Sequence, residues 1–307
     1  MLFLSVGECM IELSARPDGG YRLGYAGDTL NTAWYARALL PAAWEVAYLT
    51  RVGTDAHSAR MLDFLAGNGI STRLVTADPA RQPGLYLIDV AEGERSFTYW
   101  RGQSAARHLA DDEGALKAAF AQAAVIYVSA ITLAILAPDR RAALLAALGQ
   151  ARAAGRLTVF DPNIRPRLWE DMDTLRQVTM QAAAVAEIAL PSFDDEQAVF
   201  GDATPQACLA RYRAAGAGRI VVKNGGGPIH AQEGDRVLAP MVLGRVTPLD
   251  TTGAGDSFNG ALLAGLLQGA DLAAAVAGAH GVSARVVRSY GALMPMAAIR
   301  EEAAPAG

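Results

Sequence analysis

Cysteine is nearly missing: Cys9 and Cys208 are the only two in 307 residues, far apart and outside any C-x-x-C spacing. Neither a disulfide framework nor a zinc ribbon can be built from them, and a reducing compartment, the cytoplasm, is the expected setting. Histidine is scarce too, and His57, His108, His230 and His280 stand at no spacing that would gather a metal. No uncharged apolar run approaches the roughly 20 residues a bilayer crossing needs, so no membrane partner is expected. The apolar start lacks a basic lead and reaches Glu8 too soon for a secretory signal. Charge comes in no block of one sign: 27 Lys and Arg against 31 Asp and Glu leave a net charge of −4, without the basic footprint of a nucleic-acid binder. There is no G-x-x-x-x-G-K-[ST] run and no G-x-G-x-x-G after the first strand, so neither a P-loop nor a dinucleotide-binding domain has support.

What is present is a hydrophobic share of 52% against 19% charged. That suits one large α/β domain, residues 1–307, with an accessory piece. Short apolar runs at 2–7, 46–50, 125–129, 157–161, 188–191 and 219–223 read as strands, and helical patterns at 32–40, 56–68, 138–153 and 272–287 alternate with them. Such alternation predicts a three-layer αβα fold on a mostly parallel sheet. Two stretches break the rhythm. Residues 8–26 alternate about Pro17-Asp18-Gly19-Gly20, and residues 83–103 about Ala91-Glu92-Gly93-Glu94, which predicts hairpins joined in a small β lid outside the main sheet.

The most informative stretch is 249–260. A β-type run over 245–249 stops at Thr251-Thr252, Gly253-Ala254-Gly255 makes a turn, and a helix opens with Asp256 in its first turn. Converging backbone N–H groups and the helix dipole favour an anion there. A carboxylate at that spot accepts a proton from an attacking hydroxyl, or else merely caps the helix. Gly27, Asp28 and Asn31 stand at the mouth of another helix, placed for sugar hydroxyls or for an ordinary N-cap. Tyr99 and Arg101 share one face of a lid strand, with Tyr86 on the neighbouring one. An arginine beside a phenol suits a carboxylate, although a cross-strand aromatic pair with a solvated arginine would look the same. The loop after residue 161, with Asn163, Arg165 and Arg167, sits at the carboxyl end of a strand, where such folds place ligands.

The run from Asp250 to Asp256 resembles D-T-x-G-A-G-D, the C-terminal signature of the ribokinase-like (pfkB) carbohydrate kinases. Ala26-Gly27-Asp28-Thr29-Leu30-Asn31-Thr32, Tyr99-Trp100-Arg101 and Asn163-x-Arg165 through Trp169 are similar to its keto-deoxygluconate kinase subgroup. The resemblance implies ATP and Mg²⁺, with a monovalent cation as a further candidate, and phosphorylation of 2-keto-3-deoxygluconate at C6. It makes Asp256 the base and Gly253, Ala254 and Gly255 the anion hole. It gives the sugar acid Gly27, Asp28, Asn31, Tyr86, Tyr99, Arg101, Asn163 and Arg165, and it lays the nucleotide along Ser192, Lys223 and Gly225. The family's N-x-x-E is replaced here by Ser192 and Asp195, and Asp195 is the expected metal ligand. A neutral ketose such as fructose is the alternative substrate, and a non-catalytic sugar sensor the alternative class. A homo-oligomer paired through the lid is the expected assembly.

Overall fold

Strand Leu2–Val6 is buried along its whole length, and so is Val125–Ser129 beside it. Continuous apolar runs of this kind belong in the middle of a parallel sheet covered on both faces. In the computed structural model, which describes residues 1–301 apart from 17, 92 and 93, these two strands lie in the interior of a nine-stranded sheet. Parallel neighbours extend it through Glu45–Leu49 and Ile70–Ser71 on one side, and through Leu157–Asp161, Ile188–Ala189 and Arg219–Val222 on the other. One face is covered by helices Asp28–Leu39, Ala254–Leu267 and Leu272–Val286, the other by Glu113–Gln122, Pro138–Ala153 and Met172–Ala184. These are the three layers that the alternation predicts.

The sheet is finished by an antiparallel edge, His230–Glu233 with Arg236–Val237. This edge is not anticipated from the sequence, and the strand expected over 245–249 does not form. Pro248 lies inside that run and Gly244 directly before it, so it cannot offer an unbroken ladder of donors. Leu249 and Asp250 instead donate their N–H groups to the carbonyl of Val287, just past the Leu272–Val286 helix. The junction at Thr251 is thus tied to a helix end and not to a strand.

Four further strands, Met10–Ala15, Tyr21–Ala26, Leu85–Ala91 and Glu94–Trp100, form the separate sheet expected as a lid. Both expected turns lie partly outside the described residues, at 17 and at 92–93. Alternation sorts this sheet into two faces. Met10, Tyr86, Phe97 and Tyr99 face the main sheet's carboxyl end across a cleft. Tyr21, Leu23 and Trp100 lie on the opposite face and are exposed.

Helices Asp28–Leu39 and Ala254–Leu267 cross tightly. A Cβ on Gly260 would fall 2.6 Å from the carbonyl oxygen of Thr32. The close crossing brings the first turns of the two helices, and with them Asn31 and Asp256, to one spot.

Candidate active site

Gly253 is the N-cap of Ala254–Leu267, with φ of 75°. Only glycine takes that conformation at little cost, and a Cβ here would also stand 2.9 Å from the backbone of Ala292. Ala254 turns its N–H back to the Thr251 carbonyl at 3.2 Å. Gly253 and Gly255 contribute amides from a helix end, where no helical carbonyl faces them. Asp250 sits beneath and holds the turn, accepting from the N–H of Thr252 and of Gly291.

Asp256 does not cap this helix, because no side chain does. Its Oδ2 accepts from Asn31 Nδ2 at 2.8 Å. The carboxyl is pushed up to about 7, mainly by loss of solvent, with the negative charges of Asp28 and Asp161 adding to it. The Asn31 hydrogen bond and the Lys223 cation work the other way. A carboxyl poised near neutrality and open to a cleft is suited to taking a proton.

The cleft, about 1020 Å³, runs between the lid and the carboxyl ends of the strands. Gly27, Asp28, Asn31, Tyr86, Tyr99, Arg101, Asn163, Arg165 and Asp256 all line it. Asp28 Oδ2 accepts from Asn163 Nδ2 at 2.9 Å. Asn163 holds a φ of +29°, rare for a residue with a side chain, with its own N–H donating to Asp161. The rings of Tyr86 and Tyr99 stack with centroids 5.6 Å apart. The cross-strand aromatic pair is therefore real, and it faces the cleft.

Arg101 is not the solvated arginine of the alternative reading: it forms an ion pair with Glu8, and the two side chains are only 11% and 1% exposed. Tyr86 is not free either, because its hydroxyl donates to the Glu12 carboxylate. Glu8 was missed by sequence reasoning. Its signal was a carboxylate directly after a fully buried strand, at the step from sheet to lid. The chain crosses between lid and body four times, and all four crossings gather about this residue. A Cβ on Gly27 would meet the Glu8 carbonyl at 2.2 Å, and one on Gly84 would meet Glu8 Oε1 at 2.7 Å and Arg101 Cβ at 3.2 Å.

A second cavity, about 290 Å³, opens on the far side of the helix end. Asp194, Gly225, His280 and Ser283 line it, while Ser192, Asp195, Lys223, Ala254 and Gly255 line both cavities. The two spaces meet at the Gly-Ala-Gly turn. His280 donates to the Gly244 carbonyl at 2.8 Å. Lys223 is not the solvated strand-end lysine that its position suggests. Its Nζ lies 3.4 Å from Asp161 Oδ1 and 3.2 Å from Asn259 Oδ1, with the side chain 11% exposed.

Arg165 reaches across to Asp195 at 3.7 Å. Burial raises the Asp195 carboxyl, and Arg165 opposes that shift. Asp194 and Asp195 offer one or two carboxylates beside an anion hole. Mg²⁺ takes about that many from a protein when water and phosphate oxygens complete its shell. Glu196 turns away into the core, where it pairs with Arg211 at 2.7 Å and Tyr212 at 2.8 Å. Glu196, Asp202 and Cys208 are the one group among the described residues close enough to share a metal, but the Arg211 guanidinium already bridges them.

A family model described as pfkB family carbohydrate kinase matches residues 2–298. The chain is 39% identical over 305 residues to a 2-dehydro-3-deoxygluconokinase from Haemophilus influenzae, covering 96% of each chain. It is 38% identical to one from Escherichia coli strain K12, over 96% of this chain and 97% of the other. A fructokinase from Vibrio alginolyticus is 31% identical over 80% of this chain and 81% of its own. Among solved structures, a PfkB protein from Polaromonas sp. JS666 superposes with a TM-score of 0.83 at 27% identity, covering 98% of this chain and 99% of that one.

Proposed function

The chain belongs to the pfkB family of carbohydrate kinases, and from that premise we propose that it transfers the γ-phosphoryl group of ATP to the C6 hydroxyl of 2-dehydro-3-deoxygluconate. The observation that carries this reading is the placement of Asp256. Its proton-accepting carboxyl lines the large cleft beside Gly255, which lines the second cavity as well. The 37–39% identical relatives carrying that substrate in their names support the choice of sugar.

Asp28, Asn31 and Asn163 hold the hydroxyls of the sugar, and Asp256 takes the proton of the C6 hydroxyl. The new O–P bond forms as the bond from phosphorus to the β-phosphate oxygen breaks, and ADP leaves with that electron pair. The amides of Gly253 and Gly255 face the charge in transit, where fixed donors act most strongly. Arg101, Arg165 and the tyrosine pair receive the acid end. Asp195 would hold Mg²⁺, which would supply neutralisation of the nucleotide phosphates. A neutral ketose remains the second reading on one specific observation: Glu8 already neutralises Arg101, so a substrate without a carboxylate would leave no unpaired charge there.

Incubation with Mg-ATP and a panel of 2-dehydro-3-deoxygluconate, fructose, ribose and gluconate decides between these readings. ADP release is expected with the keto-deoxy acid at least about 100-fold in excess of the neutral sugars, as kcat/KM. Release with fructose alone would overturn the acid-end assignment.

The pH profile follows from the Asp256 carboxyl. A base must be unprotonated to act, and a value raised to about 7 leaves it protonated in acid. The logarithm of kcat/KM therefore climbs with slope one below about pH 7 and levels above it. A profile already flat from pH 5.5 upward would remove Asp256 as the titrating base.

The lid's outer face, with Tyr21, Leu23 and Trp100 exposed, supports pairing with a second copy of the chain, since apolar patches of that kind mark association surfaces. Among the described residues no helix is long and apolar enough to cross a membrane.

A further inference from the structure

Beneath the Gly-Ala-Gly turn lies a fully enclosed polar cluster that the reaction outlined above does not use. Asn259 and Tyr127 have no exposed surface, and Asp161 has 2%. Asn259 Nδ2 donates to Asp161 Oδ2 at 2.7 Å and to the Tyr127 hydroxyl at 3.1 Å, and that hydroxyl lies 3.3 Å from Asp161 Oδ2. With both amide hydrogens committed, Asn259 Oδ1 is left as the acceptor facing Lys223 Nζ. The amide cannot be turned over, because its NH₂ group would then stand against an ammonium. Asp161 Oδ1 holds Nζ from the other side.

A lysine ammonium has three hydrogens. Two are held by Asp161 and Asn259. The third is left for the place where both cavities have Lys223 in their walls, beside the first turn of the helix. There a Cβ on Gly255 would lie 3.6 Å from Nζ. Lysine is itself unusual in this chain, being only two of its 27 basic residues, Lys117 and Lys223. A compact ammonium fits a throat that a guanidinium fork would overfill.

We propose that Asn259 is a positioning residue, which together with Asp161 fixes the Lys223 ammonium at the throat between the two cavities, where it meets the phosphoryl group in passage. The inference rests on the phosphoryl-transfer reading. Asn259 follows Asp256 by three residues on one helix, so the two lie on the same face. One rigid element thereby sets the base, the anion hole and the anchor of the cation in register. Fixed placement matters because charge aimed in advance stabilises a transition state without reorganising during the reaction.

The test uses Asn259→Leu, close to the same shape and without hydrogen bonds, along with Lys223→Met and the double variant. Asn259→Leu is expected to lower kcat about 30-fold with KM for the sugar within about twofold, and to add less than about twofold in the Lys223→Met background. Losses that multiply in the double variant, or a rise confined to KM, would overturn the proposal. A second reading needs no turnover. In a ¹⁵N-labelled protein with two lysines, the protected ammonium signal of Lys223 stands apart from that of Lys117, whose side chain is 49% exposed. It should broaden away in Asn259→Leu. A Lys223 signal unchanged in the variant would overturn the anchor whatever the kinetics. Failure of the wild-type enzyme on the keto-deoxy acid, with the signal lost as expected, would overturn the proposed reaction and not the anchor. If Asn259→Leu does not fold, Asn259→Ser, which keeps one acceptor and relieves crowding, is read on the same two scales, with about tenfold expected in kcat.

Discussion

Asp256→Asn lowers kcat by about 10³-fold and leaves the dissociation constants of sugar and nucleotide within about threefold. The amide keeps the size of the carboxyl, and its oxygen can still accept from Asn31 Nδ2, so the first turns of the two helices stay together. What disappears is the lone pair that takes the C6 proton. The folded protein tolerates the change well, because folding already disfavours the charged form, as the raised carboxyl shows. The melting temperature should hold or rise, and steady-state kinetics beside calorimetric titration of the sugar make the measurement. Turnover within tenfold of wild type would transfer the role of base to another group.

Arg101→Ala carries two large effects at once. KM for the keto-deoxy acid rises by about 100-fold as a charged hydrogen-bonded contact is lost, while KM for a neutral ketose moves far less. The protein is also destabilised by about 3 to 5 kcal/mol, because Glu8 is left as a buried charge without its partner. The two effects separate in the double variant Glu8→Gln, Arg101→Ala. Removing the orphaned charge restores much of the stability, whereas the preference for an acid stays lost. Should the double variant regain that preference, Arg101 would be a structural residue and recognition would rest on Arg165.

The parallel core was legible because buried strands leave continuous apolar runs, and the expected bounds of Val125–Ser129, Pro138–Ala153 and Leu157–Asp161 are the observed ones. The run at 245–249 misled for the same reason. Val246 and Leu249 read as apolar, but Leu249 is 54% exposed, and no ladder forms where Pro248 removes a donor. At the site, local spacing exposed Asp28, Asn31 and Asp256, each near a helix start. Glu8, Glu12 and Asn259 were hidden, since each acts through a partner at a large sequence distance, Arg101, Tyr86 and Lys223 respectively. A pattern of short period carries no trace of such pairs. Lys223 was visible as a strand-end lysine placed by resemblance along the nucleotide, but the buried acceptor pair that holds it is supplied only by the fold.

The gathering of all four lid crossings about Glu8 resembles the spine of a book. In any swing of the cover, points near the spine travel little and points at the fore-edge travel far. Arg101 lies at the spine, held there by Glu8. Phe97 and Tyr99 lie farther out along the page and line the cleft. Any such swing would move the ring-bearing strand against the cleft and leave the Arg101–Glu8 pair nearly where it stands.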